Sequence, residues 1–135
     1  MLNNQKEIEV NGKKYVLTVQ RSLLFRIATI VPEILNFAKE SKSQEGELEK
    51  EQIMSQERMV ELFNNSTIDK LYDNMNVIFY EMLKHQHKDI SFEKSNEIYL
   101  NFCYEYNDVE EHLMALIEKV FTQGIPRKEK KNLNW

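Results

Sequence analysis

The side chains in this 135-residue chain that most readily bind metals or attack substrates are three histidines and one cysteine. His85 and His87 are two positions apart, so on a helix they would face different directions and could not chelate one ion. An extended backbone would bring them together, with Asp89 and His112 as the nearest helpers, but no cysteine pair completes a site. We therefore interpret both histidines as structural residues at a helix end, where the dipole favours cations.

The single cysteine, Cys103, shares a predicted helix face with apolar residues. Tyr99, Phe102 and Tyr106 lie on that face at helical spacing. A thiol in such surroundings behaves as a small hydrophobe, and its reactivity is low. We therefore expect Cys103 to pack in the core and not to act as a nucleophile.

Nothing else in the sequence predicts catalysis. The three glycines are too far apart to form the loop that cradles a phosphate. The helical glutamates predict a solvated surface without an identifiable acid and base pair. These glutamates are Glu81, Glu93, Glu97, Glu105, Glu110 and Glu111. We expect no enzymatic activity, no catalytic residue, no cofactor and no metal ligand.

Composition indicates an ordinary globular protein. Hydrophobic residues make up 41% and charged residues 30% of the chain, and no apolar run approaches the roughly 20 residues that cross a bilayer. A net charge of −4 argues against nucleic-acid binding, which needs a basic surface. The lone cysteine and the lack of an export signal predict a cytoplasmic location. We expect neither a membrane nor a nucleic acid as partner.

The N-terminal residues predict a β-hairpin. Glu7–Val10 and Lys13–Val19 alternate in polarity, and Asn11-Gly12 between them is a strong two-residue turn signal. This turn would place Ile8 opposite Tyr15 and fix the register of the remaining residues. A lone hairpin is marginal in water, so we expect it to pack on helices or on another subunit.

About five helices are predicted after the hairpin, from apolar residues that recur every three or four positions. The residues that can cap them are Ser22, Ser66, Ser91 and Asp108. The clearest apolar stripe runs over residues 68–83 and predicts one unbroken helix. Pro32 should kink or end the first helix, and Gly124-Ile125-Pro126 should end the last. Residues 41–51 are highly charged and predict an exposed linker. The predicted fold class is mainly α, with an N-terminal β-hairpin followed by about five helices.

We predict one domain over residues 1–126 and a flexible basic tail over residues 127–135. The tail holds four basic residues and one acid, whereas residues 1–126 hold 14 basic and 21 acidic residues, so the charges are +3 and −7. The predicted core includes Leu71, Met75, Phe79, Phe102, Leu116 and Val120.

Self-association is also predicted, because one domain of this size cannot bury all of its apolar surface. The hairpin edge and a short helix before Asn64 are the expected contacts. We assign partner binding to four apolar residues of that helix: Met54, Met59, Leu62 and Phe63.

The order of these parts resembles a known family. The hairpin from Glu7 to Val19 precedes a helix ending near Pro32-Glu33-Ile34-Leu35 and then a charged linker. The runs Phe79 to Glu93, Glu97-Ile98-Tyr99 and Leu113 to Ile117 follow in that order. The whole pattern is similar to the tail assembly chaperones of long-tailed (siphovirus-like) phages and prophages.

This resemblance implies a helical, non-enzymatic protein that binds the tape measure protein and keeps it soluble while the tail tube polymerises around it. It also implies oligomers in the host cytoplasm and absence from the mature virion. A frameshift in the tail would give a longer form that contacts the tail tube protein, and the codons of Glu129-Lys130-Lys131 or of Lys130-Lys131-Asn132 can contain an unbroken run of adenines. A solvated basic tail is the alternative there. A small helical DNA-binding or regulatory protein and a structural head or tail component of a phage are the alternative functions.

Overall fold

The computed structural model describes residues 4–32, 50–51, 64–123 and 125–126. Within them, an antiparallel hairpin precedes five helices, and a second two-stranded ladder joins two short strands. The predicted fold class, mainly α with an N-terminal β-hairpin and about five helices, is confirmed. The elements are β1 (Gln5–Val10), β2 (Lys13–Thr18), α1 (Arg21–Ile30), β3 (Lys50–Glu51), α2 (Asn65–Asp73), α3 (Met75–Leu83), α4 (Phe92–Glu105), α5 (Val109–Gln123) and β4 (Ile125–Pro126).

The hairpin has the predicted turn and register. Asn11 and Gly12 have φ angles of 51° and 77°, in the left-handed region that a tight hairpin turn requires. Val10, Leu17 and Val19 are buried on the face that packs against the helices. The paired residues are the expected ones: Ile8 with Tyr15, Glu9 with Lys14 and Val10 with Lys13.

Side chains from the helical part contact the outer edges of both strands. The Tyr106 hydroxyl donates a hydrogen bond of 2.9 Å to the Glu9 carbonyl on β1. On β2, the Val16 N–H donates a long hydrogen bond of 3.4 Å to Nε2 of His87. Because strand pairing uses free backbone groups, these bonds reduce the edge that is open to a second copy.

Helix α1 begins before the predicted cap. Gln20 is the N-cap, and its backbone carbonyl accepts the Leu23 N–H at 3.0 Å, so Ser22 lies inside the first turn. No side-chain cap is formed by Gln20. The helix ends at Ile30, two residues before Pro32, in agreement with the predicted interruption.

The segment that was predicted as one unbroken helix is two helices, α2 and α3, because the backbone leaves the helical conformation at Asn74. The side-chain amide of Asn74 donates 2.8 Å to the Lys70 carbonyl and so satisfies a backbone group at the end of α2. The cap of α2 is Asn64 and not Ser66, since the Asn64 side chain accepts the Thr67 N–H at 3.1 Å. The apolar stripe continues across the break, and its buried members are Leu71, Met75, Ile78, Phe79, Met82 and Leu83.

Helix α5 starts at the predicted place and is followed by a short strand. Asp108 precedes it with φ of 59°, and the Asp108 carbonyl accepts the His112 N–H at 3.1 Å. After the helix, β4 pairs with β3. The predicted linker over residues 41–51 therefore ends in a strand and is not wholly irregular.

The core forms around α3, and the predicted core residues are nearly all buried in it. The Phe79 ring lies 5.3 Å from the ring of Tyr99 and 6.0 Å from that of Phe102, between ring centroids. These contacts join α3 to α4. Leu71, Met75, Phe79, Phe102 and Val120 are buried as predicted, whereas Leu116 is only partly buried. None of the helices in the described ranges combines the length and the apolarity needed to cross a membrane.

Glu81 is buried, which shows that its predicted place on a solvated surface is wrong. Its side chain is only 4% exposed. Oε1 lies 3.2 Å from Nε of Arg26 on α1, and Oε2 lies 2.9 Å from Nζ of Lys84. Both cations keep contact with water, so desolvation falls mainly on the carboxylate, and the two ion pairs offset it. The Arg26 contact fixes α1 on α3.

Phe79→Ala should lower the free energy of unfolding by about 3 to 5 kcal/mol, because it removes a fully buried ring and leaves a cavity. Urea denaturation followed by circular dichroism measures the change. Phe25→Ala is the matched control, since Phe25 is 65% exposed, and its effect should stay below roughly 0.5 kcal/mol. Equal effects of the two substitutions would contradict the assignment of the core.

Glu81→Ala should cost roughly 1 to 3 kcal/mol of stability, because a charge-assisted hydrogen bond from Arg26 and an ion pair with Lys84 are lost from a buried carboxylate. Glu97→Ala, in an exposed pair with Lys94, should cost less than about 0.5 kcal/mol. A double-mutant cycle of Arg26→Ala and Glu81→Ala, measured by urea denaturation, isolates the contact between α1 and α3. A coupling energy of zero would show that this ion pair does not hold the helices together.

Candidate protein-binding surface

Helix α4 has a defined start and one buried side. The Ser91 hydroxyl accepts the Lys94 N–H at 3.0 Å, as the sequence predicted. Glu93 in the first turn complements the positive end of the helix dipole. The buried residues recur at helical spacing and are Ser95, Ile98, Tyr99 and Phe102. They place α4 against α3 and β1, so the opposite side of the helix faces solvent.

Exposed large apolar side chains are concentrated on α4 and directly after it. Five large apolar residues are exposed among those that the structure describes, and four of the five lie on α4 or directly after it. The exception is Phe25 on α1. The four and their exposed fractions are Phe92 at 42%, Leu100 at 60%, Tyr104 at 91% and Tyr106 at 47%.

Two of these four side chains already have partners within the fold. The Phe92 ring contacts Tyr80 edge to face, with centroids 5.5 Å apart. The Tyr106 ring lies 5.4 Å from that of Phe102. Leu100 and Tyr104 are the most exposed of the four. They therefore contribute most of the apolar surface that these four side chains present to water.

Leu100 and Tyr104 share one line along α4 with two acids. Glu93, Glu97, Leu100 and Tyr104 follow at intervals of four, three and four residues, so they lie on the same side of the helix, and all four are exposed. Nζ of Lys94 lies 3.6 Å from the Glu97 carboxylate. We call Glu93, Glu97, Leu100 and Tyr104 the α4 surface. It is acidic towards the start of the helix and apolar towards its end.

Cys103 and Tyr106 are exposed, although the sequence placed them on the inward face. The neighbouring α3 meets α4 along Ile98 and Phe102, which leaves Cys103 at the edge of the contact. Partial burial raises the pKa of the Cys103 thiol, a hydrogen bond from Tyr99 lowers it, and the Glu110 charge raises it, with a net rise. The thiol is therefore uncharged at neutral pH.

His87 lies after the end of α3 and contacts the hairpin. Its Nε2 accepts the Val16 N–H at 3.4 Å. The ring also contacts Tyr15 edge-on, with centroids 5.4 Å apart. His87 thus connects the segment after α3 to the hairpin. Over the described ranges, no group of three or more His, Cys, Asp or Glu side chains could hold a metal ion.

The four residues to which the sequence assigned partner binding lie outside the described residues: Met54, Met59, Leu62 and Phe63. Among the other methionines, Met75, Met82 and Met114 are buried and fill the core. Leu100 and Tyr104 are not among the predicted partner-binding residues, because the predicted inward stripe of α4 does not include them. Their position opposite that stripe was the signal that could have found them.

No protein-family model, no curated protein and no solved structure matches this chain. The α4 surface is therefore interpreted from its own chemistry. An exposed leucine and tyrosine on a rigid helix suit contact with another protein, because tyrosine contributes a large area with few rotatable bonds. The α4 surface offers two apolar side chains and two carboxylates, so it is suited to binding another protein.

Cys103 should react with iodoacetamide more slowly in the folded chain than in the chain unfolded by urea. Its raised pKa leaves less thiolate at neutral pH, so the rate should rise steeply only at more alkaline pH. Glu110→Gln, on α5, removes a charge that raises this pKa and should speed the reaction. Glu97→Gln is the control, because Glu97 lies on α4 like Cys103. Mass spectrometry over time gives the rates. A folded rate equal to or above the unfolded rate would show that the thiol is not protected.

Proposed function

We propose that this protein is a phage tail assembly chaperone, which binds the tape measure protein and keeps it soluble during tail tube assembly. The observation that carries the proposal is the pair Leu100 and Tyr104, which are large, apolar and exposed on a well-packed helix. Exposed apolar patches on a protein of this size are typical of binding surfaces. The resemblance of the chain to tail assembly chaperones supplies the identity of the partner.

The placement of these two side chains suits a binding anchor. Most of the binding energy at protein interfaces comes from a few residues, among which tyrosine is common. Because α4 packs on α3 through buried residues, the backbone under Leu100 and Tyr104 is already ordered before the partner arrives. Binding then loses less conformational entropy than it would from a flexible loop. A partner helix with an apolar side could cover both residues at once.

The proposal also includes self-association and a longer frameshifted form that contacts the tail tube protein. It places the protein in the host cytoplasm and not in the mature virion. Self-association is assigned to the hairpin edge, which is described, and to residues 54–63, which are not, and the tail of residues 127–135 also lies outside the described residues. Sedimentation velocity on the full chain measures self-association directly. Expression from the gene with its natural codons, followed by a search for a second, longer product, tests the frameshift.

Co-expression with the tape measure protein from the same genome, which the proposal expects to be encoded beside this gene, tests the proposed function. The chaperone should shift that protein from the insoluble to the soluble fraction and co-purify with it. The double variant Leu100→Ser, Tyr104→Ser should reduce the co-purified amount at least about tenfold, because interface anchors each contribute roughly 2 kcal/mol.

The matched control is Phe25→Ser. It removes from α1 an aromatic residue that is about as exposed as Leu100, and it should leave co-purification unchanged. Circular dichroism of each variant verifies that it folds. The proposal is wrong if the tape measure protein is equally soluble with and without this chain and the two do not co-purify. Equal loss in the α4 variant and the Phe25 control would show that another surface, and not α4, binds.

A further inference from the structure

We infer that the α4 surface selects a basic amphipathic helix as its partner, with apolar residues that cover Leu100 and Tyr104 and lysine or arginine residues that reach Glu93 and Glu97. The inference deepens the proposed function, on which it rests for the view that α4 binds protein. It specifies which kind of tape measure segment would be bound. A segment with acids beside its apolar residues would be rejected.

The spacing on α4 defines the pattern expected in the partner. Glu93 precedes Leu100 by seven residues, and Glu97 precedes Tyr104 by the same number. Seven residues are two helical turns, or roughly 10 Å along the axis. A helix lying along α4 would therefore present its basic and its apolar side chains about two turns apart, on one side.

The charges on this surface are free to pair with an incoming cation. Among the described residues, Glu97 is paired only with Lys94, at 3.6 Å, and both side chains are largely exposed, so that pair is weak and exchangeable. In the described part of the chain, no basic side chain lies within ion-pair distance of Glu93. The excess of acids over bases in residues 1–126 acts in the same direction, since it attracts basic partners over a longer range.

A second copy of this chain is a poorer occupant of the same surface. In a symmetric dimer the same patch contacts itself, so the carboxylates of both copies would be brought into one interface. The lysine next to the patch, Lys94, already faces Glu97 of its own chain. Because like charges at an interface suppress pairing, the α4 surface favours a basic partner over self-association.

Two synthetic helical peptides with the same apolar stripe test this inference on the full chain. One carries lysines two turns from its apolar residues, and the other carries glutamates at those positions. Fluorescence anisotropy in low salt should show that the lysine peptide binds roughly tenfold more tightly. In about 1 M salt, where charges are screened beyond about 3 Å, the difference should disappear.

Charge reversal on the chain should invert the preference. Glu93→Lys with Glu97→Lys should favour the glutamate peptide. Glu97→Lys alone should weaken the preference for lysine, and it avoids a new positive charge in the first turn of α4. The matched control is Glu7→Lys, which removes an acid from an exposed ion pair with Lys14 on the hairpin and should change nothing. Leu100→Ser with Tyr104→Ser should abolish binding of both peptides.

Equal affinities of the two peptides, or a preference that survives charge reversal, would overturn the inference. The co-expression assay separates this result from failure of the proposed function. If the tape measure protein is retained through Leu100 and Tyr104 but is indifferent to Glu93→Lys and Glu97→Lys, the inference is wrong and the proposed function stands. If the peptides show the charge preference but the tape measure protein is not captured, the proposed function is wrong and the charge selectivity of α4 stands.

Discussion

The burial of α3 is the constraint on which the rest of this structure depends. Six of its nine residues are buried, including Met82 and Leu83 at the end of the helix, so neighbours must cover it from several sides. The hairpin strand β2 and the helices α1, α2 and α4 all pack against it. Since each of these elements has only one apolar side, none would bury it alone. The stability of the hairpin and of α4 is thus shared with that of α3.

This constraint explains why Glu81 is paired. A carboxylate inside a helix that is covered on several sides loses contact with water, and close cations offset that cost. Arg26 reaches it from α1, and Lys84 lies three residues later on the same segment. This polar contact adds a directional constraint on how α1 is placed, which apolar burial by itself does not supply.

The same constraint produces the α4 surface. Helix α4 buries Ile98 and Phe102 against α3, which turns Leu100 and Tyr104 towards water. Their exposure carries a cost in the isolated chain, since apolar area in contact with water is unfavourable. The cost is offset in a complex where a partner covers them. An ordered helix with acids at one end and apolar residues at the other can combine affinity with selection among partners, which is the property that the proposed function requires.

The sequence by itself determined the features that depend on near neighbours in the chain. The Asn11-Gly12 turn fixes the hairpin register, the Ser91 hydroxyl starts α4, and Pro32 follows the end of α1. A turn or a cap involves residues only a few positions apart, so its signal is local. Periodicity also identified most of the buried core, but it did not reveal the break at Asn74, where the stripe continues across two helices.

Only the tertiary structure decided which side of each helix meets a neighbour. A helical stripe gives the relative directions of side chains, but several phases fit a helix that is apolar over much of its surface. Packing of α1 against α3 buries Glu81. Packing of α3 against α4 leaves Cys103 and Leu100 exposed. Both outcomes depend on contacts between residues far apart in sequence, which no local pattern encodes.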